Sequence, residues 1–277
     1  RRNLSLSTNM VHKLQKEGGE ISASFDYFHY YRTENQLMDS FKPDTLKGDM
    51  QGNINLYIGQ ADAVYPLNER WKLQVGGKAS FVAIDNTAGY MRPSVSGWLP
   101  DGSLGSRFVY DENMNAAYLQ AGYETDRLKL AAGLRLEHTR VHGDFGGNTV
   151  QKDSSFTTNY LHLFPTLSLQ YNGASNHTFQ FSYGRRITRP NYNDLNPFTY
   201  IFDEYTHEGG NTKLHPSFSD NMELAYVYRG WLQTVFFCSR TEDAIMKSYQ
   251  ERENQCIYVI PENISSYTQT GIRVHAA

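Results

Sequence analysis

Cysteine is nearly absent from this chain: Cys238 and Cys256 are the only two among 277 residues. Neither has partners at the spacing of a metal or redox motif, so a zinc site or a dithiol oxidoreductase is excluded. Cys238 sits in a strand-like pattern and Cys256 in a polar stretch, and both read as free thiols. Long apolar runs are missing as well. No segment approaches the roughly eighteen residues that a membrane-spanning helix requires. Excess positive charge is also lacking: 26 Lys and Arg against 29 Asp and Glu leave a net charge of −3. With no basic cluster interleaved with aromatics, nucleic acid is set aside as a partner. Neither a GxSxG elbow, an HExxH pair nor a P-loop occurs, and we assign no catalytic centre, metal or cofactor. Arg1 is not a methionine and no signal peptide opens the chain, so we expect a leader and an N-terminal portion to lie outside it.

Aliphatic residues are few, yet twenty tyrosines bring the aromatic share to 14%. That balance suits a barrel whose strands meet water on one face. The stretch LHLFPTLSLQY places Leu161, Leu163, Leu167, Leu169 and Tyr171 on one parity, with His162, Thr166, Ser168 and Gln170 on the other. A period of two is what a strand with one apolar and one polar face requires. After a short turn at Asn172 to Ser175, Phe179, Phe181 and Tyr183 alternate with Gln180, Ser182 and Gly184. A long polar segment then runs from Arg189 to Pro216 before alternation resumes at Met222. Leu128, Leu130, Ala132, Leu134 and Leu136 form the cleanest row, opposite Arg127, Lys129, Arg135 and Glu137.

Eleven such segments can be marked, from Leu4–Lys13 to Tyr267–Val274, and their connections alternate short and long. Asn35 to Gly52, Ile84 to Asp111 and His142 to Phe156 read as long loops. Residues 232–249 read as one strand, and the Pro261 region as a loop. Ile54, Leu56 and Ile58 share a face of the third strand. Strands of about 11 to 15 residues exceed the five or six usual in soluble sheets, and they can cross a bilayer at about 45° tilt. Tight turns at one pole and long loops at the other are the asymmetry of an outer-membrane barrel. Tyr65, Trp71, Tyr123, Tyr171, Tyr228 and Trp231 lie beside the tight turns. Tyr30, Tyr31, Tyr90, Tyr110 and Tyr160 lie towards the long loops, so two headgroup-level girdles are predicted.

These residues also resemble a known family. FPTLSLQYNGASNHTFQFSYGRRITRPNYNDLNPF, followed by GGNTKLHP and ELAYVY, is similar to the C-terminal barrel of TonB-dependent outer-membrane receptors of the Bacteroidetes type. VYDENMNAAY and AAGLRLEHT resemble further blocks, and the likeness runs from about Asn53 to Val274. Thr212 stands where that family usually has proline. The resemblance implies an all-β, antiparallel, up-and-down transmembrane β-barrel, of which this chain is a part: about 11 of an expected 22 strands. It further implies a bacterial outer-membrane location and uptake of a scarce nutrient driven by TonB, through an N-terminal plug region absent here. The implied partners are outer-membrane lipid, TonB, a small-molecule or glycan ligand and a surface lipoprotein. A passive porin-like channel and a soluble extracellular β-sheet binding module are the alternatives; an enzyme is the weakest reading.

Asp26, Lys72, Lys78, Arg135 and Glu137 should face the lumen, because a charge on the lipid face near the midplane costs about 2–4 kcal/mol. Arg185, Arg186 and Arg189, followed by Tyr192, Asn196 and Tyr200, could hold an anionic or sugar-like ligand by forked hydrogen bonds and stacking. Alternatively these arginines pair with loop carboxylates such as Asp194 and Asp203. Ligand specificity would then lie in the loops around Trp98 and Phe145. His207 and His215, with Asp203, Glu204 and Glu208 nearby, read as solvated loop residues rather than metal ligands. Asp144, Asp153 and Glu262 likewise read as loop charges.

Overall fold

A computed structural model of the chain describes residues 1–38, 45–201, 205–252 and 256–276. Its main sheet takes the strands in chain order. They are β1 (Arg2–Lys13), β2 (Glu20–Met38), β3 (Leu46–Pro66), β4 (Trp71–Ser94), β6 (Ser106–Glu124), β7 (Leu128–Gly146), β8 (Ser154–Asn172) and β9 (His177–Thr188). β12 (Ser217–Tyr228), β13 (Leu232–Glu242) and β16 (Tyr267–Ala276) complete a path of eleven, while the short β5 (Gly97–Pro100) adds only to β4. Neighbours on the path pair antiparallel throughout. The predicted all-β, up-and-down architecture is therefore observed, as part of a barrel. Turns at one pole are tight and locally satisfied. Asn68 Oδ1, for example, accepts from the backbone N–H groups of Arg70 and Trp71, both at 2.9 Å.

The two faces of the wall differ as alternation demands. Leu134 is 50% exposed, whereas Glu137 is 4% and Thr139 0% exposed on the opposite face of the same strand. Leu119 lies beside Leu134 and Leu163 beside Leu136 across the ladders. Leu161, Leu169, Phe179, Leu224, Phe236 and Ile272 extend the exposed apolar surface around the sheet. A soluble protein rarely leaves more than about 300–600 Å² of continuous apolar patch open to water. Hydrocarbon is the solvent that suits this one. The band ends where polar pairs begin on the same outer face. His138 lies 2.7 Å from Asn159, His142 2.9 Å from Thr157, and Arg107 Nε donates to Asp85 Oδ1 at 2.9 Å.

Several boundaries differ from the sequence expectation, for one physical reason. β2, β3, β4, β6, β7 and β8 run 19–24 residues, so they consume most of the predicted loops 35–52, 84–111 and 142–156. Above the apolar band the outer face turns polar and the inner one apolar, as Arg140 and Asp144 against Val141 and Phe145 show, so the apolar-out pattern is lost from the sequence while the backbone ladder continues. Ile54, Leu56 and Ile58 do share a face, but it is the inner one. Ile54 pairs with buried Ile84, and Tyr57, Gly59, Ala61 and Ala63 turn outward instead. Of the girdle expected beside the tight turns, Tyr65, Trp71, Tyr171 and Trp231 are exposed and Tyr123 and Tyr228 partly so. At the other pole only Tyr31 faces outward; Tyr30 is exposed but pairs with Ile54 on the inner face, Tyr90 and Tyr110 are buried and Tyr160 is partly so. Tyr90 and Tyr110 belong to an interior cluster, not to a headgroup belt.

The wall has a tall side and a short side. The β8–β9 ladder stops at Thr166–Gly184, next to Pro165, which has no N–H to donate. Beyond it β9, β12, β13 and β16 are only 10–12 residues long. The connections of this short side form a second sheet, in the order β10 (Thr199–Ile201), β11 (Thr206–Gly209), β15 (Cys256–Ile264), β14 (Ala244–Arg252). Its strands come from two separate connections, joined by a parallel β11–β15 pairing. The predicted strand 232–249 is broken at Asp243, whose φ of 54° turns the chain out of the wall. The Pro261 region, predicted as loop, is β15, and Cys256 opens it; Cys238 and Cys256 are both free.

Placing an arginine at Leu134 should destabilise the assembled barrel by about 2–4 kcal/mol, while arginine at His138, above the band, should cost about 0–1 kcal/mol. Equilibrium unfolding from lipid vesicles measures the difference.

Candidate functional site

The segment between β9 and β12 folds back onto the inner wall rather than projecting outward. Leu195, Phe198 and Leu214 from this segment pack with Phe108, Tyr110, Val141 and Phe145 of the tall side. A charged anchor fixes its first turn. Arg189 Nη2 donates to a Glu137 carboxylate oxygen and, at 3.3 Å, to Thr139 Oγ1, while Arg135 holds the other Glu137 oxygen at 2.5 Å. Asn191 then caps a single helical turn, α1 (Tyr192–Leu195). Asp194 N–H donates to Asn191 Oδ1 at 3.1 Å, and Asn191 N–H donates to Asp194 Oδ2 at 3.3 Å. Burial pushes the Asp194 carboxyl up from its ordinary value.

The GGN motif locks the far end of the segment onto this turn. Gly210 N–H donates to Asn196 O at 3.0 Å and Asn211 N–H to Asp194 O at 2.6 Å. A Cβ on Gly210 would lie 2.3 Å from Asn196 O, so only glycine permits the approach. Asn211 Nδ2 also reaches Pro261 O at 3.1 Å, tying in β15. Both LNPF and GGN thus serve one backbone-to-backbone contact.

The predicted site residues separate into distinct places. Arg189 is committed to Glu137. Arg185 stands 3.7 Å from Asp220 and 5.3 Å from the Phe218 ring, which packs on His162 at 4.5 Å. Arg185 and Arg189 therefore meet carboxylates of the wall and not Asp194; Asp203 and Glu204 lie outside the described residues. Asn196 is 0% exposed, with Phe198 N–H donating to its Oδ1 at 3.1 Å, so it shapes the loop and does not meet solvent. Trp98 is exposed on β5 and lines none of the cavities described below. Phe145 is buried against Phe198, with ring centres 6.0 Å apart. His207 lies in β11 and Glu262 in β15, and Glu208 pairs with Lys247 at 2.6 Å. That hydrogen bond raises the Lys247 pKa from its ordinary value. Asp144 is on β7 beside His142 at 3.0 Å, and Asp153 Oδ1 accepts from Gly147 N–H at 2.7 Å.

Tyr192 and Tyr200 do come together. With Tyr90, Phe198 and Asn86 they line a cavity of about 400 Å³ between the folded-back segment and the upper wall. Burial pushes the Tyr200 hydroxyl up to about 12, so it stays protonated and can donate. Of the residues assigned to the lumen, Arg135 and Glu137 form the ion pair above. Lys78 lies across from Gln60, and Asp26 across from Ile58, both on inner-face parities. Lys72 lines a wide cavity of about 810 Å³ at the tight-turn pole, with Lys16, Arg70 and Lys129. An inner polar group was not anticipated: Gln60 Nε2 donates to Asp62 Oδ2 at 2.8 Å, and Tyr118 donates to Asp62. The signal was present as Gln60 and Asp62 on one parity, but nothing in the sequence brings Tyr118 to them.

The sequence profile of the outer membrane protein beta-barrel family matches residues 12–277. The chain belongs to that family. It is a strand-built segment of an outer-membrane barrel. Among solved structures it resembles the copper transporter OprC, at 15% identity and a TM-score of 0.70, covering 98% of this chain and 43% of that one. The ferric yersiniabactin uptake receptor FyuA from Yersinia pestis is similar at 16% identity and a TM-score of 0.65, over 98% and 39%. The siderophore receptor PiuA from Acinetobacter baumannii matches at 11% identity and a TM-score of 0.61, over 98% and 46%. At such identities the likeness is one of fold, and the chain spans less than half the length of these structures. No curated protein matches it.

Removing the guanidinium by Arg189→Ala should cost about 1.5–3 kcal/mol, the usual range for a hydrogen bond to a charged group, and should free the segment at 189–216. Limited proteolysis at that segment reads this directly. Gly210→Ala should expose the same segment while leaving the wall intact, which heat-modifiable gel mobility reports.

Proposed function

We propose that this chain supplies about half the barrel of an outer-membrane receptor that takes up a scarce nutrient with energy from TonB. The observation that carries the reading is the described part of the segment between β9 and β12, packed on the inner wall through Leu195, Phe198 and Leu214 and fastened to it through Arg189 and Glu137. A buried, hydrogen-bonded layer lying on the inner wall at this level supports a receptor over an open passive channel. A captured ligand would meet that layer first and then the charged inner wall. The rest of the barrel, with a plug and the segment that contacts TonB, belongs to the longer protein. β1 and β16 each offer it an edge unpaired among the described residues. A surface lipoprotein, implied by the sequence resemblance, would meet the receptor at the same mouth.

Two gene deletions test this reading: one removing this protein, one removing TonB. Grown on a panel of sole carbon and iron sources, both strains should share the same specific defect. Uptake that persists in cells lacking TonB, yet depends on this protein, would assign a passive channel instead.

A further inference from the structure

We propose that the cavity between α1, β10 and the upper wall is a subsite for a neutral oligosaccharide, with Tyr192 and Tyr200 as the stacking surface and Asn86 and Asn193 as the hydroxyl-reading amides. The inference rests on the receptor reading above and narrows its ligand class. A volume of about 400 Å³ falls within the roughly 300–1,000 Å³ of small-molecule sites. Its lining carries no surplus of positive charge: Arg32 faces Glu34, and Glu208 pairs with Lys247. What stays free is neutral. Among the described residues, the Asn86 and Asn193 amides and the Tyr192 hydroxyl have no hydrogen-bond partner, yet all three residues line the cavity.

Asn86 is placed there by a glycine. Gly52 faces it across the β3–β4 ladder, and a Cβ at Gly52 would lie 2.7 Å from Asn86 Oδ1. Flat aromatic faces beside free amides suit a sugar ring, whose apolar C–H face stacks while its hydroxyls pair in forks. An anionic ferric chelate would require a cation that is not already paired. A peptide would be held chiefly by strand addition, and the sheet edge beside the cavity, β10, has three residues.

The test uses the complete receptor in detergent, titrated calorimetrically with maltohexaose, cellohexaose, xylohexaose and mannohexaose. A mixed hexapeptide pool and a ferric catecholate serve as competitors of other classes. At least one hexasaccharide should bind, and Tyr192→Ala and Asn86→Ala should each weaken it about tenfold, near 1.4 kcal/mol. Tyr249→Ala, exposed on β14 and not lining the cavity, should leave binding unchanged. If Tyr192→Ala fails to fold by gel mobility, Gly52→Ala displaces Asn86 without removing an aromatic and should weaken binding in the same way. The proposal is overturned if no hexasaccharide binds, if binding is indifferent to all three cavity variants, or if the peptides or the chelate bind in their place. Should the two deletion strains share an iron or peptide defect, the receptor reading stands and this inference alone falls. Should they share none, the receptor reading falls first.

Discussion

Lateral pairing of the backbone is the constraint on which the whole structure depends. In hydrocarbon no water is available to an unpaired N–H or C=O, so a spanning strand must be bonded to a neighbour on each side. Given that pairing, the outer side chains need only be apolar and the inner ones are released to be polar. Leu134 and Glu137, three positions apart on one strand and on opposite faces, are the direct expression of this. Where the ladder fails, beside Pro165, the wall changes height and the connections fold over the gap.

Inside the bore the energetics reverse. The most deeply buried residues, Phe108 and Tyr110 among them, sit not in the middle of a sheet sandwich but under a folded-back connection. Glu137 is held there by two arginines, one from its own strand and one from that connection. A buried carboxylate without its partners would cost several kcal/mol, so wall and connection constrain each other. The mouth is consequently part of the fold and not an appendage to it.

The spanning part of the fold was legible in sequence because a bilayer imposes a period of two on one face, as in the Leu128 to Leu136 row. Above the band the pattern inverts: in the upper halves of β4 and β7 the apolar positions, Ile84, Ala88, Val141 and Phe145, are the inner ones, and a reading for apolar-out strands passes them over as loop. Pairing between sequence-distant elements was equally invisible. Nothing local says that Thr206 lies beside Ile257, or that Tyr118 meets Asp62. Of the candidate site, Tyr192 and Tyr200 were identifiable as aromatics in a polar segment, but Asn86 was not, since its position depends on the glycine across the ladder. Asn196 and Arg189 looked like ligand residues because they are polar and lie in a distinctive motif. Their chemistry is spent on the loop itself.

Collision-based spin labelling reads the direction of the two faces residue by residue. In the complete receptor, with Cys238 and Cys256 first replaced by serine, single labels are placed at Leu163 and at Lys78 and the protein is reconstituted in vesicles. The label at Leu163 should relax with oxygen and be shielded from an aqueous nickel chelate, and the one at Lys78 should show the reverse. Equal access of the nickel chelate to both positions would contradict a lipid-facing leucine row and a polar bore.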